Sequence, residues 1–79
     1  MKDPKYPDVK VTIYNGNAMN ILSKCKNAAR RAGLSDTEVY QYLQEATSGN
    51  YQKLLQTSFE WFDVDFLFNM NDDTDDMNN

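Results

Sequence analysis

"VKVTIYNGNAMNILSKCKNAARRAG", residues Val9–Gly33, decides the fold, because the apolar spacing changes inside it. Val9, Val11 and Ile13 alternate with Lys10, Thr12 and Tyr14. A period of two with β-branched residues predicts a half-buried strand. Beyond Gly16 the apolar positions become Ala18, Ile21, Leu22, Cys25, Ala28, Ala29 and Ala32. That is the i, i+3, i+4, i+7 spacing of one helix face. Asn17 is suited to cap the start of this helix and Gly33 to end it in the left-handed conformation. Arg30 and Arg31 fall in its last turn, where cations complement the helix dipole.

Downstream, LSDTEV marks a second helix start. Ser35 and Glu38 have the spacing of a capping box, and Leu34 and Val39 that of a hydrophobic staple. Val39, Tyr42, Leu43 and Ala46 form the apolar face, and Gly49 is expected to stop the helix. A third helix is expected from about Asn50, with Tyr51, Leu54, Leu55, Ser58 and Phe59 inward. From Trp61 the pattern alternates again. Phe62, Val64, Phe66 and Phe68 face one way, and Trp61, Asp63, Asp65 and Leu67 the other, which predicts a strand. The sequence therefore predicts an α+β fold: strand, three helices, strand, with the two strands paired and the helices on one face. Residues 1–8 read as an extended lead-in, 9–68 as a single small domain, and 69–79 as a disordered acidic tail. A two-stranded sheet is marginal alone, so either the helices supply the core or a homo-oligomer extends the sheet.

Composition narrows the function. The chain has 79 residues, no histidine and one cysteine, Cys25. Without histidine the commonest general base and zinc ligand are missing. One cysteine allows no intrachain disulfide, which argues against a stapled secreted scaffold. The start, MKDPKYPDVK, lacks an apolar signal core, and no stretch is apolar enough to span a bilayer, so the expected location is cytoplasmic. Net charge is −4 but unevenly placed. Residues 1–33 hold seven Lys/Arg against two Asp, whereas residues 34–79 hold one Lys against ten Asp/Glu.

Four features are candidates for function. The loop YNGNA, with backbone N–H groups at a helix start, is either an anion cradle or only a turn and cap. Neither a dinucleotide-binding nor a P-loop glycine pattern is present. As a ligand site it would use Asn15, Gly16 and Asn17 with Arg30 and Arg31. EATSGNY, Glu45–Tyr51, either lines a small polar site through Glu45, Ser48 and Tyr51 or simply turns the chain. Cys25 lies on an apolar face with no histidine to activate it and reads as an inert core thiol. The stretch WFDVDFLF with DDTDD mixes aromatics and acids, and Trp61, Asp63, Asp65, Asp72 and Asp73 are candidate partner-binding residues. The tail lacks the calcium-loop pattern, and no metal or cofactor is expected.

The segments NGNAMNIL, AARRAG, EATSGNYQKLLQT and EWFDV together resemble a widespread type of small phage and prophage protein. In that type G-N-A opens a helix, R-R-A-G closes it, and E-A-x-S-G-[DN]-Y-x-x-L-L-x-T follows. The likeness covers roughly residues 9–65 and rests on Gly16, Asn17, Ala18, Arg30, Arg31, Gly33, Glu45, Ala46, Ser48, Gly49, Tyr51, Leu54, Leu55 and Thr57. Tyr14-Asn15 stands where an acidic residue often precedes the glycine, and the tail beyond Asp65 is outside the pattern. The resemblance implies phage origin, hence the cytoplasm of an infected bacterial host, and no particular activity. The expectation is a non-enzymatic interaction protein that binds and inhibits a host factor, for example an antiviral defence complex. Its acidic surface would then imitate nucleic acid or dock on a basic partner. The alternative is a small oligomeric module that binds or sequesters a nucleotide or other phosphorylated ligand.

Overall fold

The computed structural model describes residues 3–67 of the chain. Phe68 and the stretch 69–79, with Asp72 and Asp73, lie outside the described residues. The element order is β1 (Tyr6–Ile13), α1 (Ala18–Arg31), α2 (Asp36–Ala46), α3 (Tyr51–Trp61) and β2 (Phe62–Phe66). The fold is strand, three helices, strand, as the change of period predicts. The strands pair in parallel, so the three helices together form the crossover between them.

β1 begins at Tyr6, earlier than the alternation suggests. Its register is irregular there: Tyr6 pairs with Phe62, yet the next partners are Lys10 and Asp63. Pro7 lies in the unpaired part, where its missing N–H disrupts no ladder bond. From Lys10 onward the pairing is regular, Val11 with Val64, Thr12 with Asp65 and Ile13 with Phe66. Val9, Val11, Ile13, Phe62 and Val64 are buried on the helix side. Lys10, Thr12 and Asp65 are exposed on the opposite face.

Each helix is closed by its own sequence. Asn17 caps α1, and Gly33 follows it at φ 98°. The Leu34 N–H donates to the Ala29 carbonyl and the Gly33 N–H to the Arg30 carbonyl, the paired bonds of a Schellman ending. Ser35 and Glu38 form the reciprocal capping box of α2. Hydrogen bonds from the Ser35 N–H and the Tyr6 hydroxyl, with the Ser35 side chain adding to them, hold the Glu38 carboxyl below its usual range. Ser35→Ala is expected to cost about 1 kcal/mol, readable as a lower urea midpoint at unchanged slope.

Three expectations need correction. Gly49 does not itself stop α2, which ends at Ala46. Thr47 is the C-cap, and a Cβ at Gly49 would come within 3.1 Å of the Lys53 Cβ. The glycine admits the first turn of α3. The inner face of α3 is Leu54, Thr57, Ser58 and Trp61, whereas Tyr51 and Phe59 are exposed. Trp61, expected to open the strand on its outward side, instead ends α3 and is buried, because it continues the spacing from Leu54, Thr57 and Ser58. Phe62 then turns extended at once, at φ −131° and ψ 164°.

The core joins the strand residues to Ile21, Cys25 and Ala29 of α1, Val39, Tyr42 and Ala46 of α2, and Leu54 and Trp61 of α3. Tyr42, Phe62 and Trp61 form an aromatic cluster, with Tyr42 and Phe62 ring centroids 4.9 Å apart.

Candidate functional site

At the loop before α1, side chains engage the backbone that an anion would need. Asn15 Oδ1 accepts from the Asn17 N–H at 2.9 Å. Asn17 Oδ1 accepts from the N–H groups of Met19 at 2.9 Å and Asn20 at 3.4 Å. Asn20 Nδ2 donates to the Asn15 carbonyl, and the Tyr51 hydroxyl donates to the Gly16 carbonyl. Tyr51 thus ties the start of α3 to this loop. Arg30 and Arg31 lie at the far end of α1, about 20 Å along its axis at ~1.5 Å per residue. The structure therefore brings Asn15, Gly16, Asn17 and Tyr51 together but not the two arginines.

Glu45, Ser48 and Tyr51 also turn to separate tasks. The Ser48 hydroxyl donates to the Glu45 carbonyl at 2.7 Å, which closes the end of α2. The Glu45 carboxylate faces another way. Its Oε1 accepts from Trp61 Nε1 at 3.2 Å, and its Oε2 lies 3.9 Å from Lys53 Nζ. Above the Trp61 ring sits Lys5, its Nζ 4.2 Å from the ring centroid. Sequence spacing gave no sign of this Lys5–Trp61–Glu45 group, since its members come from three distant segments. A lone tryptophan amid acids was the signal available.

Trp61 is only 5% exposed, and Lys5 lies over one face of its ring, so it presents little surface of its own to a partner. Asp63 and Asp65 instead lie on the open face of the sheet. Asp63 pairs with Lys10 at 2.8 Å, and this pair raises the Lys10 ammonium above its usual range. The Lys10 side chain is 73% and the Asp63 side chain 46% exposed, and surface pairs of this kind contribute little to stability. Asp65 is exposed opposite Thr12.

Cys25 is inside, as its place on the apolar face predicts. Burial pushes its thiol up, against a smaller opposing pull from the nearby Tyr42 and Ser58 hydroxyls. The Ser58 hydroxyl donates to the Leu54 carbonyl at 2.9 Å, which leaves Tyr42 to donate to Ser58 Oγ at 2.6 Å. One polar side chain from each helix thus meets in the core. Burial, and after it the Cys25 thiol, raises the Tyr42 phenol well above its usual range, so it stays protonated. A raised thiol and a protonated phenol are poor nucleophiles, and the group reads as a structural tie. Thr57 Oγ1 is the exception, buried without a hydrogen-bond partner. Thr57→Val keeps the shape and removes that hydroxyl, and is expected to stabilise by about 1 kcal/mol. Chemical denaturation should show a higher midpoint.

Among the described residues no three of His, Cys, Asp and Glu converge where they would hold a metal ion. No helix there is long and apolar enough to cross a membrane. The chain matches no protein-family model, no curated protein and no solved structure.

Proposed function

We propose that this chain is a phage-encoded, non-enzymatic protein that binds a host protein or protein complex, such as an antiviral defence complex, and inhibits it. The observation that supports this most is the bare face of the sheet. Parallel strands are usually covered on both faces. Here one face packs on the helices, while the other presents Lys10, Thr12, Asp63 and Asp65 to solvent. Asp63 and Asp65 also stand close in sequence to the acidic stretch that follows β2. An uncovered surface where the acids outnumber the one lysine suits a basic partner surface, where complementary charge speeds encounter and selects the partner.

The test has two stages. The tagged full chain is used to capture proteins from host lysate, and the captured factor is then purified and assayed with and without the chain. The expected result is loss of that factor's activity at near-stoichiometric amounts. If nothing is retained specifically, or the retained factor keeps full activity, the proposal fails.

A further inference from the structure

Lys5, Glu45 and Trp61 line two neighbouring hollows at once. One, of about 620 Å³, is completed mainly by Asp3, Phe59 and Glu60. The other, of about 510 Å³, opens toward α2. Both hollows share Lys5, whose ammonium lies over the indole. Among the described residues no carboxylate oxygen lies within 4.0 Å of that ammonium, although its charge reaches Glu38 and Asp3, Glu45 and Glu60 line the same hollow. The backbone of Lys5 is held beside the site by its N–H bond to the Glu60 carbonyl at 2.8 Å, just before β1 begins. Glu45 is held at the ring edge by the hydrogen bond from Trp61 Nε1. Phe59, half exposed, adds a second aromatic wall.

We infer that this is a recognition site for an arginine side chain on a basic segment of the protein partner, with Lys5 as a tethered occupant that the arginine replaces. The inference rests on the partner-binding proposal above and names the chemistry of the partner. A guanidinium stacks on an indole more effectively than an ammonium and binds carboxylates through two parallel bonds. An arginine seated over Trp61 would gain the carboxylate contacts that Lys5 lacks. Movement of the Lys5 side chain would open the part of both hollows that it lines.

Trp61 is the single tryptophan, so its fluorescence reports occupancy directly. The full-length protein is titrated with a hexa-arginine peptide and, separately, with hexalysine. The expected result is a saturable change in Trp61 emission, stronger binding of hexa-arginine than of hexalysine, and roughly fivefold tighter binding by Lys5→Ala. Glu45→Gln should bind several-fold more weakly. Lys24→Ala makes the same change in net charge outside both hollows and should bind as the wild type does. Thermal melts confirm that each variant is folded. Unchanged Trp61 emission on binding, or equal affinities for Lys5→Ala and Lys24→Ala, would overturn the site. The partner-binding proposal would then still stand on the sheet face, since its own test is inhibition of a captured factor.

Discussion

Phe62→Ala is expected to lower the stability of the chain by about 3–5 kcal/mol. Phe62 is 1% exposed and stands where α3 passes directly into β2. Its ring packs 4.9 Å from Tyr42, 6.1 Å from Trp61 and 6.2 Å from Tyr6, measured between centroids. It therefore joins β1, α2 and α3 in one contact set. Truncating a buried phenylalanine costs about 3–5 kcal/mol, the transfer loss plus the cavity left behind. A domain of this size has a total stability of roughly 4–12 kcal/mol at ~0.05–0.15 kcal/mol per residue. The substitution thus removes a large share of the whole. Far-UV circular dichroism with a urea series checks it. A loss below about 1 kcal/mol would mean that the site collapses around the smaller side chain and that the aromatic cluster does not hold the strands to the helices.

The second large effect is on binding. Asp63→Asn combined with Asp65→Lys is expected to abolish retention of the partner while the fold persists. Both positions are on the uncovered face, and the Lys10–Asp63 pair is solvent-screened, so little stability is lost. Replacing an acid by a base at a charge-complementary surface turns an attraction into a like-charge contact, which suppresses association far more than neutralisation does. Retention measured alongside a thermal melt separates lost binding from lost folding.

Local features were legible in the sequence because their causes are local. The change of period after Gly16, the Ser35–Glu38 box, the Asn17 cap and the left-handed Gly33 each depend on residues within one or two turns. The inward set Phe62 and Val64 was equally readable from alternation. The parallel pairing and its irregularity beside Pro7 were not, since register is fixed by contacts between segments that are distant in sequence. Trp61 was read into the alternating pattern, although it also continues the helical spacing of Leu54, Thr57 and Ser58, and in the structure it packs inward against Tyr42 and Tyr6. The loop at Asn15–Asn17 was ambiguous for a related reason. Whether its N–H groups are free depends on where the asparagine side chains turn, and here they turn inward on their own backbone. The Lys5–Trp61–Glu45 group was out of reach altogether, because folding assembles it from the two ends of the domain and the end of α2.

Capture of host proteins by the full-length chain, run in parallel with the Asp63→Asn, Asp65→Lys variant, tests the partner-binding proposal most directly. The expected result is a specific host factor retained by the wild type, inhibited by it, and released by the equally folded variant. Equal retention by both proteins, or specific retention by neither, would contradict it.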